Sequence, residues 1–448
     1  MTISSLLENC VVLARRKVVA GIASLLAAPA CVRLPVPTDF DAIIIGAGVA
    51  GLSAAHALAT KGRRILVLEA RSRIGGRAWT DANSLGVPFD QGAHWLHNAE
   101  HNSFTQLARD KGLALKVADT SDRQLYCAGK ALSDENATLR MNKATSDLER
   151  RMFIPSILPG DSSLAPFLSG DEWRDAMIGI AAFSLGAQPD RISFEDFLSL
   201  EDGEERTVSG GYGALVAAVF KSVPVRLDHR VALVDWHHGN RIAVSGQWGS
   251  ATARYVIIAV PPTVLASGGI RFSPDLPQAK AEALGKFTVG QFLKVGFRFE
   301  GMGNRLPEYH ADICRLASGN LEMLVADQFD PVLTLIASGD LASELARQDI
   351  AGRRAYAIER TTQTLGKNAA GRLGAVISYD WAADPLSLGS FSAVRPGAGN
   401  ARRKFAQPLQ GRVHFAGDAA PGPFATTVYG AHLSGLRAAR QTERELAR

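Results

Sequence analysis

The stretch IIIGAGVAGLSA, residues 43–54, constrains this chain more than any other. Asp41 to Ile45 predicts a short strand that is apolar on both faces, as in a buried parallel sheet. Gly46, Gly48 and Gly51 follow, and Leu52, Ala55, Leu58 and Ala59 continue as a helix that Gly62 stops. In such a turn the first glycine allows the tight bend and the second lets backbone approach a pyrophosphate. The third lets the helix lie close on the strand. The N–H groups that open the helix then face the anion. RILVLEA, residues 64–70, predicts the next strand, and Glu69 at its end is placed to accept hydrogen bonds from ribose hydroxyls. Strand, glycines, helix, strand and acid in this order predict a dinucleotide site. Nicotinamide and flavin nucleotides both use it.

The residues after Glu69 choose between them. EARSRIGGRAWT, residues 69–80, adds Gly75 and Gly76 flanked by Arg73 and Arg77. This is a second cationic, backbone-rich loop, able to meet a pyrophosphate and a polar ring system, for which a nicotinamide site has no special need. Here the chain resembles the flavin-containing amine oxidases, whose signature runs Glu-Ala-x-x-Arg-x-Gly-Gly-Arg. The resemblance implies FAD held by Gly46, Gly48, Gly51, Glu69, Ala70, Arg71, Gly76 and Arg77, with Arg73 and Arg77 near the phosphates and the isoalloxazine. Solvated surface arginines are the plainer account of that pair.

The far end of the chain resembles the same family. VHFAGDAAPGPFATTVYGAHLSGLRAA, residues 413–439, predicts a strand, a Gly417-Asp418 turn, a Pro/Gly loop and a helix opening at Thr427 and Val428. This run is similar to one in polyamine oxidases and lysine-specific histone demethylases. The similarity implies that Asp418 hydrogen-bonds the ribityl chain and that the positive end of the helix faces the flavin pyrimidine ring. Gly430 and Gly435 would let that helix pack closely. VRLDHRVALVDW places Val231 where the family uses a backbone contact to adenine, although a plain sheet residue accounts for it equally well. Residues 41–80 and 413–439 must then meet, so the expected FAD domain is discontinuous.

Three stretches speak to the substrate side. FDQGAHWLHN, residues 89–98, resembles the family's Gly-Ala-x-Trp-x-His run, which implies a place for His97 in the substrate channel. In GQFLKVGFRFE, residues 290–300, Leu293, Val295, Phe297 and Phe299 alternate with Lys294 and Arg298. Pattern alone makes Lys294 a solvated strand lysine. The resemblance instead implies a lysine that holds a water against flavin N5, assisting electron transfer to oxygen. YDWAADPLSLGSFSAVRPG, residues 379–397, resembles the family's Trp-x-x-Asp-Pro pattern, which implies that Trp381 packs on the flavin. Phe391 stands where the family has a tyrosine walling the substrate, and Thr427 stands at the opposite wall. The two-tyrosine cage is therefore absent. Leu388, Gly389 and Ser390 offer no cysteine for a covalent flavin link, so the expected FAD is non-covalent. The expected catalytic set is Lys294, Phe391, His97 and Thr427.

The chain has 448 residues, enough for two cores. Its net charge is +5, with no Lys/Arg cluster interleaved with aromatics, so nucleic acid is not an expected partner. LARRKVVAGIASLLAAPAC places Arg15, Arg16 and Lys17 before a short apolar stretch and Ala28-Pro29-Ala30. These are the three parts of an export signal, and paired arginines suit the twin-arginine route, which carries folded proteins. A cleavable signal over 1–30 and a periplasmic or secreted protein are expected. A general secretory signal, a lipid anchor at Cys31 and a retained tail stay open. Cys10, Cys31, Cys127 and Cys314 are too irregularly spaced for a metal framework, and no metal is expected. A Cys127–Cys314 disulfide is left open.

The expected fold is α/β: a doubly wound, glutathione-reductase-like Rossmann domain that binds FAD, interleaved with an α+β substrate-binding domain. Residues 39–98, 205–283 and 384–448 would form the first, and 99–204 and 284–383 the second. The implied reaction oxidises a C–N bond of a primary or secondary amine, polyamine-like or monoamine, to an imine. Oxygen or another acceptor takes the electrons, giving hydrogen peroxide when it is oxygen. No protein base is required if the pocket is apolar enough to favour the neutral amine. A related flavin desaturase or protoporphyrinogen-type oxidase, an L-amino acid oxidase and a non-catalytic FAD-binding protein remain as alternatives, and a homodimer is left open.

Overall fold

The computed structural model describes residues 39–118, 124–127, 130–132, 135–152, 160–237, 239–301, 309–317 and 322–447. The export signal read at 1–30, with Cys10 and Cys31, lies outside the described residues, as does the side chain of Cys314.

Strand Phe40–Ile45 forms where the apolar run predicts it, and its last four residues are buried. It pairs in parallel with Ile65–Leu68 on one side and with the end of Gly249–Ile258 on the other, Ile43 lying opposite Leu66 and Val256. The eight-stranded sheet runs Arg271–Ser273, Leu233–Asp235, Ile242–Gly246, Gly249–Ile258, Phe40–Ile45, Ile65–Leu68, Val225–Arg226. The eighth strand, Val413–Phe415, runs parallel to the last residues of Gly249–Ile258, so the chain's far end completes the layer that its beginning starts.

Helix Val49–Ala59 crosses this sheet and packs against helix Val428–Leu446. Small residues set the contact: a Cβ on Gly435 would stand 2.1 Å from the Ala50 carbonyl oxygen. Leu52 and Leu58 are fully buried beneath the pair, each contributing about 1.5–3 kcal/mol relative to exposure. Thr60 caps the first helix, and Gly62 takes φ 74° in the turn that leaves it.

A second, seven-stranded sheet is ordered Leu373–Ile377, Phe292–Phe299, Val332–Ser338, Glu322–Ala326, Tyr309–Asp312, Gln124–Cys127, Lys130–Ala131. Its pairs are antiparallel except Tyr309–Asp312 with Gln124–Cys127. On Phe292–Phe299 the apolar alternation holds, and Leu293, Val295, Phe297 and Phe299 face a core completed by helices Gly339–Ala346 and Ile350–Leu365. The other face differs from the solvated reading of Lys294. The loop at residues 90–92 lies over it, and Lys294 is only 8% exposed. Alternation marks one buried face but is silent on whether a distant loop covers the other.

Helix Glu172–Leu185 seals one side of this sheet. Asp171 caps its start by accepting from Arg174 N, and Gly186 ends it in the left-handed region at φ 64°. Cys127 is disulfide-bonded. Among the described residues no helix is long and apolar enough to cross a membrane.

Candidate functional site

One cavity of about 690 Å³ runs from the first glycine turn to the second sheet. Of the residues that the sequence singles out for cofactor or catalysis, all line it except Gly51 and Arg73. Gly51 acts behind the wall: a Cβ there would stand 1.9 Å from the Gly46 carbonyl oxygen. A Cβ on Gly48 would meet nothing within 4 Å, so this backbone borders open space at a helix start. The two glycines thus divide the motif into a packing position and one that borders open space.

The second glycine loop sits on the first. Gly75 N donates to Ala47 O at 2.8 Å, and a Cβ on Gly76 would approach Gly48 Cα at 3.1 Å. Glu69 is held from both sides, accepting from Ala47 N at 2.7 Å and Arg71 N at 2.8 Å. Each carboxylate oxygen keeps a further lone pair for a ribose hydroxyl. Ala70 and Val231 line the same end; Val231 is buried just before strand Leu233–Asp235 and not in it. Arg71 is fixed by Asp384 at 2.7 Å and Ser387 Oγ at 2.7 Å.

Arg73 departs from its expected place. It is not part of the cavity wall; it donates to Gly76 O at 2.7 Å and lies 4.4 Å above the Trp79 ring. Burial, then the neighbouring Arg71, bring its pKa down to about 10. Arg73 braces the loop, while Arg77 faces the cavity.

Arg77 Nη2 donates to Asp418 Oδ1 at 2.5 Å and its Nη1 to Ser390 O at 3.1 Å. Asp418 Oδ2 accepts from Ser392 N at 2.9 Å, and Arg402 bonds Ser392 Oγ at 2.9 Å. Arg402 in turn forms a two-point pair with Asp196 at 2.6 and 2.8 Å. Burial alone would raise the Asp418 carboxyl, but Arg77, Ser392 and Arg402 hold it below the usual carboxylate range. Gly417 adjoins it at φ 147°, with nothing within 4 Å of a built Cβ. Thr427 caps helix Val428–Leu446: Oγ1 accepts from Gly430 N at 2.9 Å and donates to Phe424 O at 2.8 Å. Its hydroxyl is committed to the helix, and what it presents to the cavity beside Val428 is the positive helix end.

These features fit FAD. Two glycine backbones border open space, a cation and a helix start face it, and a buried acid stands ready for a ribose. Trp381, with Nε1 donating to Gln91 O at 2.9 Å, closes the wall between the nucleotide end and the second sheet.

At that second end Lys294 Nζ donates to Gly92 O at 2.7 Å and Asp90 O at 3.1 Å. Burial lowers its pKa to about 8, against the pull of Asp90 and Asp327. Phe391 is placed by antiparallel pairing opposite Gly290, where a Cβ would collide with its ring at 2.6 Å. Phe292 packs against it at 5.4 Å between ring centres. His97 sits at an acidic rim with Asp202, Glu204 and Glu205, its Nδ1 2.7 Å from Glu205 Oε1. Burial depresses the imidazole, but 38% of this side chain is exposed and the Glu205 carboxylate prevails, raising its pKa.

Sequence reasoning missed Glu205, His94, Phe183 and Ile180. The last two come from a helix whose apolar pattern reads only as core. Glu205 lies 108 residues from His97, with no local signal to link them.

A family model described as flavin containing amine oxidoreductase matches residues 49–442. Over 90% of the chain and 88% of the relative, it is 29% identical to polyamine oxidase 3 of Oryza sativa subsp. japonica. It is 26% identical to lysine-specific histone demethylase 2 of Homo sapiens, covering 54% of that protein. Among solved structures, cyclohexylamine oxidase from Brevibacterium oxydans IH-35A superposes with a TM-score of 0.75 at 24% identity, covering 92% of this chain and 100% of that one. A putrescine oxidase mutant superposes with the same score at 21% identity.

Proposed function

This chain belongs to the flavin-containing amine oxidoreductase family, and on that premise we propose that it oxidises small aliphatic or alicyclic amines to imines, with oxygen as acceptor. It is an FAD-dependent oxidoreductase acting on the C–N bond of amines, with a Rossmann-like FAD-binding fold interleaved with a substrate-binding domain. We assign residues 39–98, 205–283 and 384–448 to the FAD-binding part. Bound FAD supplies the two-electron acceptor.

The observation that carries the substrate reading is Lys294, a buried cation at the end of the cavity that also holds the glycine turns. A second cation beside it is disfavoured, so an amine lies there as its neutral form. Phe391, Phe292 and Phe183 surround that position with apolar surface and exclude water. Farther out, the carboxylates at the rim suit a second ammonium on a diamine, while a monoamine needs only the aromatic walls. Lys294 is also positioned to stabilise negative charge developing on oxygen.

Anaerobic mixing of the yellow holoenzyme with cyclohexylamine, putrescine and spermidine tests this. Bleaching by at least one amine is expected. Bleaching only by unsaturated or cyclic compounds that lack an amine overturns it. We further propose export of the chain through residues 1–30; the disulfide at Cys127 supports an oxidising compartment. Replacing Arg15 and Arg16 by lysine should retain the protein in the cytoplasm.

A further inference from the structure

Arg402 stands one layer behind the cavity wall. It is only 3% exposed and does not border the cavity itself. Its guanidinium has five N–H groups, and all five are used. Nε and Nη2 donate to Asp196 Oδ1 and Oδ2 at 2.6 and 2.8 Å. Nη2 also donates to Ser392 O at 3.1 Å, and Nη1 donates to Ser392 Oγ at 2.9 Å and to Asp418 O at 3.4 Å. Arg402 comes from helix Ala401–Ala406 and Asp196 from helix Phe194–Leu198, 206 residues earlier. A buried ion pair needs only the two bonds to Asp196. The other three reach toward the cofactor wall.

Those three bonds hold Asp418 at two points. Ser392, gripped at both Oγ and O, donates its own N–H to Asp418 Oδ2 at 2.9 Å. The Asp418 carbonyl also accepts from Thr426 N at 2.9 Å, which closes the loop leading to Thr427. Thr427 and Val428 open helix Val428–Leu446 on the cavity. The carboxylate that pairs with Arg77 and the positive end of that helix therefore depend on groups that Arg402 holds.

We propose that Arg402 is a positioning residue for FAD: by holding Ser392 and the Asp418 carbonyl, it presents the Asp418–Arg77 pair and the helix start to the cofactor. Its charge acts in the same direction. Two cations face Asp418, Arg77 from the second glycine loop and Arg402 from its helix, with Asp196 on the far side of Arg402. Burial favours the neutral carboxyl, while Arg77, Ser392 and Arg402 favour the carboxylate and prevail. The ionised form is thus present at neutral pH and lost as pH falls. Without Arg402 that loss moves to higher pH, and a protonated Asp418 no longer attracts Arg77.

Arg402→Gln and Asp196→Asn separate positioning from stability alone. Both break the same buried ion pair, and both should lower the melting temperature. Only the first removes the grip on Ser392 and Asp418. The purified holoenzymes are brought stepwise from about pH 8 to about pH 4. Gel filtration and flavin fluorescence read FAD release, and circular dichroism at each step reads folding. Arg402→Gln should bind FAD about tenfold more weakly. It should also release FAD, while still folded, at a higher pH than the wild type. Asp196→Asn should keep the wild-type affinity within about twofold and the wild-type release pH. Equal changes in the two variants, or wild-type values for Arg402→Gln, overturn the proposal. If Arg402→Gln does not fold, Arg402→Lys decides, because it keeps the charge but brings three donors to five acceptors. It should release FAD at the wild-type pH yet bind it at least about threefold more weakly, and wild-type affinity overturns the proposal. No amine enters these measurements, so their outcome is independent of the substrate reading.

Discussion

Arg77 and Asp418 lie 341 residues apart in the chain and meet at 2.5 Å on the cavity wall. The contact joins the second glycine loop to the turn after the last strand, so the two ends of the fold are tied at the site itself. Asp418→Asn leaves Arg77 and Arg402 facing a neutral amide, and breaking a buried pair of this kind costs about 3–5 kcal/mol. Its effect should appear as FAD loss of at least about tenfold in affinity and a lower melting temperature. Gel filtration followed by flavin fluorescence measures the first. Retention of FAD at the wild-type level would show that the pair does not organise the site.

The glycine turn yields a contrast between neighbours. Gly51→Ala sets a methyl 1.9 Å from the Gly46 carbonyl oxygen, and the strand and helix must separate. Gly48→Ala meets no protein atom within 4 Å, so its methyl projects into space assigned to the pyrophosphate. The first variant should be insoluble or melt far below the wild type. The second should fold with a native circular dichroism spectrum yet bind FAD at least tenfold more weakly. If Gly48→Ala takes up FAD as the wild type does, the pyrophosphate lies elsewhere.

What was legible in the sequence follows from range. The turn at Gly46, Gly48 and Gly51 is local, and its strand and helix appear as read. The cap at Thr427 is equally local, one hydroxyl serving the N–H three residues on. Lys294 was readable as a strand residue but not as a buried one, because the carbonyls of Asp90 and Gly92 that receive it come from a loop some 200 residues earlier. In sequence Arg73 and Arg77 are indistinguishable, because both flank the same glycines. Only the fold shows that the Trp79 ring captures one and leaves the other to the cavity. Resemblance covered the residues around the glycine turns and at Gly417 and Asp418, whose motifs are continuous. The cavity walls around Lys294 are assembled from separate elements, and no short pattern records their assembly.

Lys294 gives a prediction with a sign. Its pKa is lowered to about 8 by burial, so its positive charge is present at pH 7 and mostly gone at pH 9. Dithionite-reduced holoenzyme mixed with oxygen should therefore reoxidise more slowly as pH rises through about 8. In Lys294→Met the rate should be at least about tenfold lower at pH 7 and should lose this pH-dependent limb. Stopped-flow recovery of the yellow absorbance reads both. A variant that reoxidises at the wild-type rate removes the lysine from the oxidative step.

His97 and Glu205 bear on substrate choice. The carboxylate raises the imidazole's pKa above its ordinary 6.5, so a cation stays beside Glu205 to higher pH than a free imidazole would. The distal ammonium of a diamine must compete with it. As pH rises through the raised pKa, His97 loses its charge, its competition for Glu205 ends and KM for putrescine should fall, by about three- to tenfold. KM for cyclohexylamine, which has no second ammonium, should lack that component. The same pair predicts a stability term with the opposite pH trend, present below pH 6.5 and lost as pH rises through the raised value, and weakened because more than a third of the imidazole is exposed. Glu205→Gln separates the pair from the amine's own titration, which is common to both proteins. In that variant the extra fall in putrescine KM should vanish while cyclohexylamine is unaffected. Identical pH profiles for putrescine in wild type and Glu205→Gln would place diamine recognition away from this rim.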